Sequence, residues 1–185
     1  MGWLLRDCDI RHDRVCDRQY HERGPVRTIG VISDTHGLLR DEAVDALKDS
    51  DLILHAGDVG GADILEVLAG MAPVFVVKGN NDHDEASLSW PKREVVHLSE
   101  GTSPVLAYML HDISDLDLDP SSVGFAVVVY GHSHRPAMEK SGGVLYFNPG
   151  AAGHRRFNLP VTVGRLRVDE RGCVSSEIIE LEVPI

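Results

Sequence analysis

The stretch TIGVISDTHG, residues 28–37, decides the fold of this chain. Its first six residues are β-branched or small and predict a buried strand, which stops abruptly at polar residues and a glycine. Four later apolar runs end in the same way: LHAGDVG (54–60), VVKGNND (76–82), AYMLHD (107–112) and VVYGHSH (128–134). Because the carboxyl ends of parallel strands meet along one rim of a sheet, we expect these polar ends to converge there.

Strands and helices alternate outward from this stretch. DLILHA (51–56) and PVFVVK (73–78) are predicted strands, whereas LLRDEAVDALKDS (38–50) and ADILEVLAGM (62–71) have helical periodicity. This order predicts right-handed crossovers and a largely parallel sheet.

The second half of the chain is richer in strands. The predicted strands are REVVHL, PVLAYML, GFAVVVY, GVLYF, PVTVGRLRV and CVSSEIIELEV, and DISDLDLDPSSV between two of them is expected to be a short helix or turn region. Helices early and strands late predict two sheets packed together with helices outside.

Composition limits the class of protein. The chain has 185 residues, 43% of them hydrophobic, which suits one globular domain with a sizeable core. Its net charge of −11, from 18 basic and 29 acidic residues, argues against a nucleic-acid partner. No apolar run is long enough to span a membrane, and no signal-peptide pattern is present, so we expect neither secretion nor a membrane partner. The three cysteines have no Cys-x-x-Cys spacing, which favours a reducing compartment and therefore a cytoplasmic protein.

The first residues differ from the rest. Residues 1–26 interleave arginines with acidic residues and contain few large apolar side chains, and Gly24-Pro25 closes the stretch. This pattern predicts a poorly ordered N-terminal extension or a peripheral helix, followed by one domain over residues 27–185.

Seven residues at the ends of the apolar runs have side chains that can bind metal: Asp34, His36, Asp58, Asn80, His111, His132 and His134. Two carboxylates, four imidazoles and one amide oxygen suit Mn, Fe, Zn, Co or Ni better than calcium. Seven ligands exceed the need of one tetrahedral ion and are enough for two ions that share a carboxylate. Each residue taken alone also has a structural interpretation, since Asp34 or Asp58 can cap a helix and the two histidines of GHSH can be exposed turn residues.

The ordered blocks SDTHG, AGD, GNND, a strand ending in His, and GHSH resemble the calcineurin-like metallophosphoesterase superfamily. The NPG segment after GHSH (residues 148–150) is most similar to its small YfcE-type phosphodiesterase branch. The resemblance implies a four-layer α-β-β-α sandwich, the metallo-dependent phosphatase fold, in which two mixed sheets are flanked by helices. It further implies a phosphoric ester hydrolase that cleaves small phosphodiesters through a metal-bridging hydroxide.

The same resemblance assigns roles to the seven residues. Asp34, His36 and His134 would bind the first ion, Asp58 would bridge both ions and take part in catalysis, and the second ion would be held by Asn80, His111 and His132. Mn²⁺ is the expected ion, and Zn²⁺, Fe, Ni²⁺ or Co²⁺ would also suit the site. The implied partner is a small phosphoester, and relatives often form homo-oligomers, either dimers or tetramers.

Two positions depart from the family pattern. Asn81 stands where many relatives have a histidine that acts on the leaving group; an amide can contact a phosphate oxygen but cannot act as a general acid. Asp112 stands where the family usually has glycine, and its carboxylate can tighten metal binding, repel an anionic substrate or point outward. Asp82, assigned to the catalytic set with Asn81, can orient a neighbouring group or simply close a turn.

Two alternatives to a phosphodiesterase follow from the same resemblance. One is a catalytically weak or inactive scaffold of the same fold, similar to the retromer subunit of the superfamily. The other is a nuclease, which the acidic charge disfavours.

Overall fold

The computed structural model describes residues 26–99, 104–156 and 158–183. The first sheet contains β1 (Arg27–Ile32), β2 (Leu52–His55), β3 (Val74–Val76), β9 (Thr162–Val168) and β10 (Val174–Glu180). The second contains β4 (Arg93–His97), β5 (Leu106–Leu110), β6 (Val127–Val129), β7 (Ala137–Ser141) and β8 (Val144–Asn148). The helices are α1 (Asp41–Leu47) and α2 (Ala62–Ala69), and 3₁₀ turns cover Ala86–Ser89 and Ile113–Asp115.

Both sheets are mixed, as predicted. The strand order of the first sheet is β10-β9-β1-β2-β3, with β1, β2 and β3 parallel and β9 antiparallel to β1. The second sheet has the order β4-β5-β6-β8-β7, with β5, β6 and β8 parallel. The parallel strands of each sheet therefore end side by side at a common rim, as the sequence predicted.

The main core lies between the two sheets. It is lined by aliphatic side chains of the first sheet, such as Val31 and Leu54, and of the second, such as Met109, Val129 and Phe147, all of which are fully buried. Large buried side chains of this kind each stabilise the fold by about 1.5–3 kcal/mol relative to exposure.

The outer faces of the sheets are covered differently. Helices α1 and α2 cover the first sheet through buried residues that include Leu47 and Leu68. Over the second sheet, the segment that follows β5 packs Leu116, Leu118 and Phe125 against the buried Tyr108 and Val128. This fourth layer contains a 3₁₀ turn, in agreement with the short helix or turn predicted for DISDLDLDPSSV.

Strand β7 is absent from the sequence prediction. Its residues AMEKS lie at the edge of the second sheet and are exposed or half-buried, so they form no apolar run. Strand β1 begins at Arg27, and the domain boundary predicted at that residue stays a prediction. The extension predicted for residues 1–26 lies, up to residue 25, outside the described residues. No helix in the described ranges has the length and apolar character needed to cross a membrane.

Candidate metal centre

All seven predicted ligands lie together at the rim shared by the two sheets. Four of them follow β1, β2 and β3 of the first sheet, and three follow β5 and β6 of the second: Asp34, His36, Asp58 and Asn80, then His111, His132 and His134. The convergence predicted from the strand ends is therefore present in the fold.

The backbone of five of these residues is in the left-handed region. Asp34, His36, Asp58, His132 and His134 have φ values of 54°, 48°, 54°, 66° and 58°, and they are the non-glycine residues with positive φ in the described part of the chain. This conformation costs an L-residue about 1–2 kcal/mol, so packing elsewhere must hold it in place. The sharp turns that follow the strands aim each side chain into the same space.

One group of donor atoms is built around Asp34. Its Oδ1 atom lies 3.2 Å from His134 Nε2 and 3.9 Å from His36 Nε2, and the two Nε2 atoms are 3.2 Å apart. Its Oδ2 atom accepts hydrogen bonds from the Ser33 hydroxyl at 2.6 Å and the His132 backbone N–H at 3.1 Å. The Oδ1 atom is buried and has no hydrogen-bond partner among the described residues, which is costly for a carboxylate unless a cation binds there.

A second group is built around Asp58 and Asn80. His111 Nε2 lies 3.3 Å from Asp58 Oδ2 and 3.1 Å from Asn80 Oδ1, and His132 Nδ1 lies 2.8 Å from the same amide oxygen. Asp58 Oδ2 is also 3.7 Å from His36 Nε2. Asp58 therefore lies between the two groups of donor atoms, and its role as a bridge between two ions stays a prediction.

His111 provides a chemical test of whether the second group fits a cation. Its Nδ1 atom donates to the Ala56 carbonyl oxygen at 2.7 Å, so in a neutral ring the lone pair is on Nε2 and faces two oxygen atoms. This arrangement is repulsive unless the ring is protonated or a cation lies between the atoms. Burial opposes a charged ring, but hydrogen bonds to Asp58 and to the Ala56 carbonyl outweigh it and raise the pKa of His111. The donor set therefore fits a divalent ion on the chemistry of its own atoms.

The environment of Asp58 keeps its carboxyl group ionised, which also favours a bound cation. Burial alone would raise the pKa of this carboxyl, but hydrogen bonds from His111 and from the backbone and side chain of Asn81 lower it well below its usual range. Burial lowers the pKa of His36 against the opposing charges of Asp58 and Asp34, and the charge of Arg156 lowers it further. Asp58 is thus an ionised carboxylate and His36 a neutral imidazole, the forms in which these groups bind metal, whereas an ion at His111 would have to displace the proton that its raised pKa favours.

Asn81 and Asp82, predicted as catalytic residues, make different contacts. Asn81 donates from its backbone N–H to Asp58 Oδ1 and from its side-chain amide to Asp58 Oδ2, each at 2.7 Å. Asp82 is buried and accepts from the backbone N–H groups of Gly60 and Gly79 at 3.1 and 2.8 Å. Asp82 thus anchors the loops after β2 and β3. The catalytic roles predicted for Asn81 and Asp82 stay predictions.

Sequence reasoning missed a buried network that joins two ligand-bearing turns. His55 is fully buried; its Nε2 atom lies 3.0 Å from the Thr35 hydroxyl, and its Nδ1 atom accepts from the Gly57 N–H at 3.3 Å. The Thr35 hydroxyl donates to the Val59 carbonyl oxygen at 2.8 Å. A histidine next to Gly-Asp at a strand end is the only sequence signal for this network, and it is equally typical of ordinary packing.

The two-sheet fold and the candidate metal-binding groups at its rim agree with the class of metallophosphoesterases, and the comparison with known families identifies that class. The model of the family described as "calcineurin-like phosphoesterase superfamily domain" matches residues 28–171 of this chain. The chain belongs to this family and is therefore a phosphoric ester hydrolase.

Individual relatives agree with this assignment. A probable metallophosphoesterase of Methanocaldococcus jannaschii is 32% identical over 170 residues, which cover 86% of this chain and 84% of the relative. A solved structure of an archaeal phosphodiesterase has a TM-score of 0.66 at 23% identity and covers 82% of this chain and 99% of its own. Zinc-complexed Vps29 of Entamoeba histolytica has a TM-score of 0.61 at 20% identity, with 83% of this chain and 98% of Vps29 covered. The two structural likenesses are evidence for the fold alone.

Proposed function

We propose that this protein hydrolyses small phosphodiesters with two divalent ions bound at the rim of its two sheets. Asp34, His36 and His134 would hold one ion, Asn80, His111 and His132 the other, and Asp58 both. The observation that carries the proposal is the buried Asp34 Oδ1 atom, which faces two imidazole nitrogens and has no hydrogen-bond partner. The ions would act as Lewis acids toward phosphoryl oxygens and lower the pKa of the attacking water.

The side chains around the ions would orient the site. Two hydrogen bonds from Asn81 hold both oxygens of Asp58, and the hydrogen bond from His111 Nδ1 to Ala56 keeps the Nε2 lone pair directed into the site. Asn81 cannot protonate a leaving group, because an amide is not a general acid at neutral pH. Diesters with good leaving groups, such as aryl esters, are therefore the favoured substrates.

Mn²⁺ is the ion we propose, with Zn²⁺, Fe, Ni²⁺ or Co²⁺ as the other ions that suit imidazole and carboxylate ligands. Reconstitution of the chelated protein with each ion, followed by metal analysis, identifies which ions bind and in what number.

The test of the site compares the wild-type protein with Asp58→Ala and His134→Ala on bis(p-nitrophenyl) phosphate in Mn²⁺. We expect each variant to lose at least about a hundred-fold in kcat/KM together with bound metal, because each removes a ligand. Asp117→Ala is the matched control, since Asp117 is exposed, pairs with Arg93 at 3.1 Å and is not one of the seven predicted ligands. Near-normal turnover of either ligand variant would disprove the proposed site.

The second candidate function is a catalytically weak or inactive scaffold. The likeness of the fold to Vps29 is compatible with it. The full set of seven donor side chains supports catalysis instead, because a scaffold has no need to keep a buried carboxylate oxygen without a partner. A wild-type protein that contains no metal and does not turn over any bis-aryl phosphate would favour the scaffold.

A further inference from the structure

Asp112 lies next to the candidate metal centre and has two distinct contacts. Its Oδ1 atom accepts a hydrogen bond from the backbone N–H of Ser114 at 2.9 Å, which caps the 3₁₀ turn Ile113–Asp115. Its Oδ2 atom lies 3.5 Å from His132 Nε2. The first contact fixes the carboxylate, and the second directs its remaining oxygen toward a predicted ligand.

The ring of His132 presents its two nitrogens to different groups. Nδ1 lies 2.8 Å from Asn80 Oδ1, on the side of the candidate centre, and Nε2 faces Asp112. If the Nδ1 lone pair binds an ion, the ring proton must be on Nε2, where only an acceptor is favourable. The Asp112 carboxylate is such an acceptor.

The two histidines that flank Asn80 are held in different ways. His111 is buried, and its Nδ1 donates to the neutral Ala56 carbonyl. The side chain of His132 is 45% exposed, so fewer packing contacts restrict its ring. An anionic acceptor has a larger effect on such a ring, since it both orients the imidazole and makes Nδ1 a stronger ligand.

We propose that Asp112 is a positioning residue that selects the Nε2–H tautomer of His132 and thereby strengthens the second metal position. This inference rests on the proposed function. Loss of an acceptor behind a metal-bound histidine typically weakens metal affinity by about 10- to 100-fold.

The test separates this role from capping of the 3₁₀ turn. Asp112→Ser retains a side-chain oxygen that can cap the turn but is too short to reach His132, and Asp112→Asn retains the length without the charge. Asp115→Asn is the matched control, because it removes the same charge from the same turn at an exposed residue.

Titration of the chelated proteins with Mn²⁺ measures the two binding steps, and thermal unfolding of the chelated proteins measures the capping role. We expect both Asp112 variants to weaken one binding step by about 10- to 100-fold, with the other step and the unfolding midpoint close to those of Asp115→Asn. In ¹⁵N-histidine spectra of the Zn²⁺-loaded wild type, His132 should carry its proton on Nε2, and this preference should weaken in Asp112→Ser.

Different results would overturn the role of Asp112 and the proposed function. Wild-type binding constants in both Asp112 variants, or a drop in the chelated midpoint as the only effect, would overturn the role of Asp112 and leave the proposed function standing. A wild-type protein that binds no Mn²⁺ would overturn both.

Discussion

The left-handed backbone of Asp34, His36, Asp58, His132 and His134 concentrates strain in the residues that are proposed to bind metal. A glycine would adopt the same φ values without strain, but it has no side chain that could act as a ligand. The left-handed conformation therefore lowers the stability of the fold but orients the donor side chains, as is common for strained residues at functional sites.

This exchange predicts a difference between two substitutions of His132. In chelator, His132→Gly should be more stable than His132→Ala by about 1 kcal/mol, because only alanine retains the left-handed strain. Denaturant unfolding measures the difference. The same pair at the exposed His97 of β4 should have the opposite order, because glycine is unfavourable in a strand. A His132 pair with the order of the His97 pair would contradict the assigned strain.

Arg156 carries a positive charge that, after burial, contributes to lowering the pKa of His36. It is exposed and lies three residues after Gly153, whose N–H donates to the Asp34 carbonyl at 3.3 Å. We expect Arg156→Ala to raise KM for an anionic diester by about 3- to 10-fold with kcat nearly unchanged, since an exposed charge pair is worth little more. Arg155→Ala is the control, and an equal rise in KM for both variants would show that the effect is not specific to Arg156.

At the scale of the elements, close approach between loops holds the strand ends together. A Cβ atom on Gly79, after β3, would collide with the carboxylate and the backbone nitrogen of Asp58, after β2. We expect Gly79→Ala to destabilise the protein by about 1–3 kcal/mol and to weaken metal binding, because Asp58 must move.

Gly70→Ala is the control for this prediction. Gly70 ends α2 with φ −68° and ψ −16°, which alanine also adopts, and an added Cβ would lie 3.2 Å from the Val67 carbonyl oxygen. This contact is much looser than those at Gly79, so the substitution should be close to neutral. Denaturant unfolding and Mn²⁺ titration are the measurements. Unchanged metal binding in Gly79→Ala would show that the contact with Asp58 is not required.

The network of His55 connects the turn after β1 to the turn after β2. The single hydroxyl proton of Thr35 goes to Val59, so the hydroxyl must accept from His55 Nε2–H, while His55 Nδ1 accepts from Gly57. Both ring nitrogens are thus satisfied only in the neutral ring. Burial lowers the pKa of His55 to about 4, against the opposing charges of Asp82 and Asp34.

A lowered histidine pKa means that the folded state resists protonation. The stabilising contribution is fully present above pH 6.5 and is lost as pH falls through 4; at pH 4 the loss amounts to about 3 kcal/mol. Unfolding free energies of the chelated protein from pH 7 to pH 4.5 should therefore fall more steeply in the wild type than in His55→Gln. His97→Gln should follow the wild-type slope, and equal slopes in all three proteins would contradict the prediction.

At the scale of the whole molecule, the candidate centre joins the two sheets. Asp34, His36, Asp58 and Asn80 follow strands of the first sheet, and the three other histidines follow strands of the second. Elsewhere the sheets contact each other through an apolar core. Ions bound at the rim would therefore connect the sheets through polar bonds at one end of the sandwich.

This connection predicts stabilisation by metal. Free Mn²⁺ at 100 times its Kd should raise the free energy of unfolding by about 2.7 kcal/mol for each site, because only the folded chain assembles the ligands. Unfolding midpoints in chelator and in a Mn²⁺ series measure the effect, and His134→Ala should lose a large part of it. A midpoint that does not depend on Mn²⁺ would contradict the proposed ligands.

Sequence by itself determined where the parallel strands end and which seven donor residues stand at those ends. Apolar runs and the polar residues that follow them are local patterns, so the end of a strand can be predicted from the sequence around it. Strand β7 escaped this reasoning because an exposed edge strand carries no apolar run. The roles of the seven residues as ligands stay predictions.

Only the tertiary structure decided which atoms face each other. Among the described residues, Asp34 Oδ1 has no hydrogen-bond partner, Asp82 anchors Gly60 and Gly79, and Asp112, after β5, faces His132, after β6. These relations depend on the register between strands that are far apart in the chain and on turns held in the left-handed region. Such long-range packing leaves no local signal in the sequence. The candidate ligands could therefore be predicted from the sequence, whereas their contacts could not.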